Sequence, residues 1–388
     1  MAAAAVPAAQ VRPARLAGWR YPLAVGVLSR LLAFAIAGTI GLVRREPGQS
    51  PGEALLAPLG AWDGIWYQRI ADYGYDPTVA HGNGVAFSPL YPLMMRALAR
   101  LADISYLLAG VLISTACFLA ALVLLHRLVA RRSGERAART VVWLTAFFPV
   151  AFVFSSAYTE SLYLLLTVAS FALLEARRFA GACLAGVLVV LTRPTGIMLV
   201  PALVLRLWRD RGRRLSAGFL VRVAPVALLP IAYVAFGAYL YYRTGDPFAT
   251  QSAQSAGWGR GANLLLVLAM PLAVLNGLYV AAHDPGRIGY VVDTACAMLW
   301  ALVLIEGWVR RRLPPEYLLY GSLAIALPVF AGTYVALPRY GMGVFVVLWL
   351  VALHVAVRPR LGRVLRIALP VSMVVAGVLV LGAGVYTP

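Results

Sequence analysis

Residues 22–43, PLAVGVLSRLLAFAIAGTIGLV, form an apolar run of the length a bilayer requires of a helix. A hydrocarbon core about 30 Å thick takes roughly 20 helical residues to cross. Working outward, comparable runs occur at 105–130, 140–156, 160–176, 218–242, 288–308, 316–336, 342–357 and 365–385. Two shorter runs, 179–192 and 197–208, are separated only by Arg193-Pro194-Thr195-Gly196, a turn signal that predicts a hairpin. The run 262–282 is long enough to cross, but leaving it as a re-entrant or surface helix puts most arginines on one side, as the positive-inside rule asks. The expected fold class is therefore an all-α polytopic membrane protein, one domain over residues 1–388, with about 11 transmembrane helices.

Composition supports this reading. The chain is 62% hydrophobic and only 13% charged, where soluble domains carry about 25% charged residues. Its mean hydropathy is +0.81. A formal charge of +19 would suggest nucleic acid in a soluble chain, but here the arginines sit in short clusters between apolar runs, so no nucleic-acid partner is expected. All 34 basic residues are arginine, and the three cysteines are widely spaced within apolar runs, without metal-ligand spacing. No metal and no cofactor are expected. Met1 to Gln10 lack the order of a cleaved signal peptide, so the first run is expected to remain as an anchor.

Two polar segments interrupt the apolar pattern, 44–104 and 243–287, and both are expected on the outer face. The first holds Trp62-Asp63-Gly64-Ile65-Trp66-Tyr67, in which Trp62, Ile65, Trp66, Ile70 and Tyr73 recur at helical spacing. That pattern predicts an amphipathic helix lying on the headgroup layer by its aromatic face. Asp63 and Tyr67, at i and i+4, share another face, and Gly74-Tyr75-Asp76-Pro77 ends the helix. Asp63 is the candidate catalytic acid, and its structural alternative is an N-cap.

Glu160, in Ser155-Ser156-Ala157-Tyr158-Thr159-Glu160-Ser161, is a hydrated boundary acid or lines a polar cavity. Arg193 and Arg339, each framed by turn residues, either snorkel to lipid headgroups or fork onto the phosphate of a lipid substrate. Arg243, Arg260 and His283 are weaker candidates of the same kind, and Trp258 and Gln251 are placed to meet a sugar. Trp62, Trp66, Tyr67, Asp72, Tyr91, Tyr158 and Tyr340 complete the set as sugar or acceptor contacts or as loop supports. There is no phosphate-cradling glycine loop with lysine, no His-x-x-x-His pair, no Gly-x-Ser-x-Gly and no Asp-x-Asp.

The blocks Trp62–Tyr67, Arg69–Tyr75, Ala86–Pro92, Ser156–Leu162 and Leu191–Gly196 resemble, in order, those of the PIG-V-like family, which includes the second mannosyltransferase of GPI-anchor synthesis and bacterial relatives. The chain departs from eukaryotic members at Trp66, where they carry His, and at Phe87-Ser88, where they carry two Phe. The resemblance implies a GT-C type fold, a catalytic acid in the first outer loop and a polyprenyl- or dolichyl-phosphate sugar as donor.

Lysine-free composition points to a GC-rich bacterium, hence to its cytoplasmic membrane and to a cell-envelope glycan, glycolipid or protein as acceptor. The expected function is inverting mannosyl transfer with Asp63 as base and Arg193 and Arg339 on the leaving phosphate. The rivals are a lipid or glycolipid flippase, which would show matched broken helices and charge at mid-depth, and a non-catalytic assembly partner.

Overall fold

A computed structural model describes residues 16–76, 78–210, 212, 216–284 and 288–384; the reading of Met1 to Gln10 and the Pro77 end of the first turn lie outside them. Among the described residues the chain is helical, with no strand. The first apolar run is α1 (Arg20–Val43). The polar segment after it folds into α2 (Pro51–Leu56), α3 (Asp63–Tyr73), a 3-10 stretch (Val79–Ala86) and α4 (Leu90–Ala102). Runs 105–130 and 140–156 become α5 (Tyr106–Phe147), two helices joined at Gly134, whose φ of 83° a side chain would resist. A 3-10 turn (Ala151–Ser155) leads into α6 (Glu160–Glu175).

The expected hairpin is α7 (Phe179–Thr192), an extended Arg193 and α8 (Leu199–Asp210). Then come α9 (Ala217–Val223) and α10 (Leu228–Thr244), followed by α11 (Ala249–Trp258). The ambiguous run breaks at Ala269 into α12 (Leu264–Leu268) and α13 (Met270–His283). The chain continues through α14 (Ile288–Val309), α15 (Pro315–Phe330), α16 (Leu337–Gly343), α17 (Phe345–Ala356) and α18 (Pro359–Gly377).

By length and apolarity five helical stretches among the described residues can cross a membrane, or six if α16 and α17, bent by 82°, are one span. Helices α7, α13 and α15 are apolar but shorter than 18 residues. Eleven crossings are therefore not carried forward as a count.

The core gathers around α17, in which Phe345 to Leu350 are all buried. Its sequence, FVVLWLVALHVA, is apolar on nearly every side, as a helix surrounded by others requires. It packs on α5, and α5 packs on α1 and α6. Helix α1 carries a buried arginine, Arg30, only 2% exposed. Its guanidinium donates to the Ala151 carbonyl at 2.8 Å and to Ser155 Oγ at 3.1 Å, and lies 4.3 Å from the Phe118 ring centre. No carboxylate meets it among the described residues. It fixes the 3-10 turn that precedes α6.

The segment after α1 docks tightly on it. Ser50 and Glu53 form a reciprocal capping box at the start of α2, with Ser50 N donating to Glu53 Oε2 at 2.9 Å. At Gly41 a Cβ would overlap the Ala54 carbonyl oxygen, so only glycine lets α1 and α2 approach this closely. Gly41→Ala is expected to destabilise the protein by about 1–3 kcal/mol, in the range of overpacked sites, when chemical unfolding is followed in detergent. Gly52→Ala, where nothing lies within 4 Å of the added carbon, should leave the midpoint unchanged or raise it.

Candidate active site

The first loop delivers Asp63 through a constrained approach. Trp62 has φ 49° and ψ −116°, a conformation bulky side chains avoid, at a cost of about 1–3 kcal/mol. Two contacts from the turn before α6 hold it there: Ala157 N donates to the Leu59 carbonyl at 2.9 Å, and Tyr158 Oη to the Ala61 carbonyl at 3.0 Å. Asp63 is consequently the first residue of α3 and not its cap. Trp62 occupies the cap position without a side-chain cap bond.

The carboxylate of Asp63 turns to a distant partner. Arg339 Nη1, on α16, donates to Asp63 Oδ2 at 2.7 Å. The same guanidinium places its Nε 3.3 Å from Glu160 Oε1, and Arg193 Nη1 donates to that oxygen at 2.7 Å. Glu160 is 1% exposed and Arg339 5%, so neither charge is mainly solvated by water and each depends on its partners. The Asp63 side chain keeps 22% of its exposure. Among the described residues no protein donor meets its Oδ1.

Tyrosines frame this charge cluster. The Tyr340 ring lies between two guanidinium groups, 4.8 Å from that of Arg193 and 5.2 Å from that of Arg339, and its Oη accepts from Arg260 Nη2 at 3.0 Å. Tyr158 offers a second face to Arg339 at 5.3 Å, and Tyr163 a second face to Arg193 at 5.9 Å. Guanidinium groups favour such faces electrostatically. The Tyr67 hydroxyl shares a hydrogen bond with Thr159 Oγ1 at 3.2 Å. Burial, reinforced by the nearby Asp63 carboxylate, pushes the hydroxyls of Tyr67 and Tyr158 above the ordinary tyrosine range, so both stay protonated.

Beside the cluster stands an aromatic wall. Trp66 stacks on Phe87 at 6.1 Å, and Trp258 meets both edge-on at 6.0 and 5.6 Å. Helix α11, which carries Trp258, is tied to the first loop by Thr250 Oγ1 to the Val85 carbonyl and Gln254 Nε2 to the Ala86 carbonyl.

The structure thus brings together Asp63, Glu160, Arg193, Arg339, Tyr340, Tyr67 and Tyr158, with Trp62, Trp66 and Trp258 alongside. Other expected contacts stand apart. Tyr91 is fully buried, bonded to the Gly110 carbonyl and Ser114, so it supports the loop. Asp72 is exposed at the far end of α3, and Arg243 is exposed near Asp76. His283 is exposed, with Nδ1 at its own helix's Tyr279 carbonyl, and Gln251 is exposed too.

The expected bilayer face of α3 is also corrected. Ile70 is buried against the first loop and Trp66 is covered by the wall, leaving Ile65 and Tyr73 exposed. The buried face runs instead through Gly64, Tyr67, Ile70 and Ala71.

Sequence reasoning missed Arg30 and Thr159 and ranked Arg260 low. Arg30 did carry a signal, as a lone arginine inside an apolar run. Among the described residues no group of three or more His, Cys, Asp or Glu is placed to hold a metal; acids here meet guanidinium groups.

A family model described as "Mannosyltransferase (PIG-V)" matches residues 49–266. The GPI mannosyltransferase 2 of Cryptococcus neoformans var. neoformans serotype D (strain JEC21 / ATCC MYA-565) is 31% identical over 192 residues, which cover 44% of this chain and 42% of that relative. The match therefore spans less than half of the curated relative's length. Among solved structures, the Archaeoglobus fulgidus oligosaccharyltransferase in complex with Zn and sulfate aligns over 91% of this chain and 53% of its own, at 14% identity and a TM-score of 0.48. The archaeal oligosaccharyltransferase AglB from the same organism, with an inhibitory peptide and a dolichol-phosphate, aligns over 94% and 56%, at 12% identity and 0.47.

Removing Glu160 strands Arg193 and leaves Arg339 with Asp63 alone. Glu160→Ala is expected to destabilise by about 3–5 kcal/mol, as breaking a buried pair does. In a double-mutant cycle with Arg193→Ala, chemical unfolding should return a coupling of roughly 0.5–3 kcal/mol. Additive effects would show that the two residues do not interact.

Proposed function

The chain belongs to the mannosyltransferase (PIG-V) family, and from that premise we propose that it transfers mannose from a polyprenyl-phosphate mannose donor to a hydroxyl of a cell-envelope glycan, glycolipid or protein. The same reading takes the helical scaffold as GT-C type and places the charge cluster at the outer face of a bacterial cytoplasmic membrane. One observation carries the proposal. Asp63 is a half-buried carboxylate with Oδ2 fixed by Arg339 at 2.7 Å and Oδ1 met by no protein donor among the described residues, on the helix that carries Trp66 of the aromatic wall.

In the proposed step Asp63 Oδ1 accepts the proton of the acceptor hydroxyl. That oxygen forms a bond to the anomeric carbon while the bond from that carbon to the phosphate oxygen breaks. The electron pair leaves with the polyprenyl phosphate, and the configuration inverts. As Asp63 takes the proton its negative charge disappears, so the charge of Arg339 is released toward the phosphate just as that group gains charge.

Arg339 spends Nη1 on Asp63, and Arg193 spends Nη1 on Glu160. Each guanidinium has five N–H donors, which leaves others to orient phosphate oxygens. Glu160 holds the two arginines at their separation. The wall of Trp66, Phe87 and Trp258 offers broad faces to the apolar side of a sugar ring.

The reading is tested with purified protein and a polyprenyl-phosphate mannose donor. Asp63→Asn is expected to lower transfer by about 10² to 10⁴-fold, the usual share of a general base, in a protein that still folds, with a lower unfolding midpoint because Arg339 loses an ion pair, and with donor binding retained or tightened. Wild-type rates in that variant would remove Asp63 as the base. Lipid flipping in proteoliposomes without any sugar transfer would favour a transporter instead.

A further inference from the structure

Three guanidinium groups converge on Tyr340, and they are not equivalent. Arg339 and Arg193 are paired with Asp63 and Glu160. Arg260 donates to no carboxylate; its acceptors are the Gln254 side-chain oxygen at 3.0 Å and Tyr340 Oη at 3.0 Å, and it forms no ion pair among the described residues. Two acids against three arginines leave the cluster with one uncompensated positive charge, and geometry locates that charge on Arg260. We infer that Arg260 is the docking cation for the donor's phosphate. This inference rests on the donor reading above.

The position is built and not incidental. Gly259, with φ 61°, ends α11 in the left-handed conformation and turns the chain so that Arg260 leaves the helix axis. The following residues are pinned to the end of α15, through Gly261 N to the Ala331 carbonyl at 3.0 Å and Asn263 N to the Phe330 carbonyl at 2.7 Å. Trp258, two residues earlier, belongs to the aromatic wall. Arg260 is partly exposed, whereas Arg339 is buried. An incoming anion therefore reaches Arg260 without first breaking an ion pair to a carboxylate. Once the phosphate is docked there, the paired arginines act on it over short range.

The test measures affinity separately from turnover. With acceptor left out so that no transfer occurs, binding of polyprenyl-phosphate mannose to the protein with Asp63 in place is compared with binding of the matching uncharged polyprenol. Arg260→Gln should weaken the phosphorylated ligand about 10 to 100-fold, the worth of a charge-assisted hydrogen bond, and leave the polyprenol unchanged. Arg260→Lys should recover most of the loss and covers the case in which the glutamine variant folds poorly.

With acceptor present, Arg260→Gln should raise the donor KM by a similar factor while kcat stays within a few-fold. Unchanged affinity for the phosphorylated donor, an equal loss for the polyprenol, or a fall in kcat alone would each overturn the inference. Retained transfer in Asp63→Asn would sink the assignment of the base without touching the Arg260 result.

Discussion

Arg339 reaches Asp63 at 2.7 Å and Glu160 at 3.3 Å from a position almost closed to solvent. A guanidinium so placed has lost most of its hydration, and here that loss is offset by two acids standing at the right distance. The constraint therefore runs outward from one side chain. It requires the first loop to bring Asp63 to the bundle, the turn before α6 to present Glu160, and α16 to enter at an angle that aims Arg339 between them. The strained Trp62, the Tyr158 hydroxyl on the Ala61 carbonyl and the buried Arg30 beneath the 3-10 turn all serve that meeting point.

Helix α6 shows how the bundle accommodates charge. It is 16 residues long, about 24 Å at 1.5 Å per residue, and begins at Glu160 and ends at Glu175. Glu160 belongs to the candidate site. Glu175 belongs to a second ionic network, where Arg132 meets it at 2.5 Å, the Tyr317 hydroxyl at 2.9 Å, and Arg206 links it to buried Glu316. Acids thus collect at both ends of an apolar middle, each matched by arginines from helices far apart in sequence.

The apolar runs and the hairpin of α7 and α8 were legible because period and turn chemistry are local. The number of crossings was not, since α6, α7 and α15 fall below the usual length and α5 runs on through Gly134. Site residues were legible one at a time: Asp63, Glu160, Arg193 and Arg339 each stand out as polar groups beside turns. Their pairing was not, because Asp63 and Arg339 lie 276 residues apart. No spacing rule spans that distance. The buried face of α3 was misread for a related reason: Trp66 and Ile70 of its apolar stripe met protein, and sequence cannot say which apolar neighbour will arrive.

That separation has a consequence during synthesis. Asp63 and Glu160 enter the membrane early, while Arg339 sits on α16, after most of the helices have been made. Until the ribosome delivers it, Arg193 can already meet Glu160, but Asp63 waits for its partner. The ionic cluster is therefore completed only when α16 arrives, late in the order of synthesis.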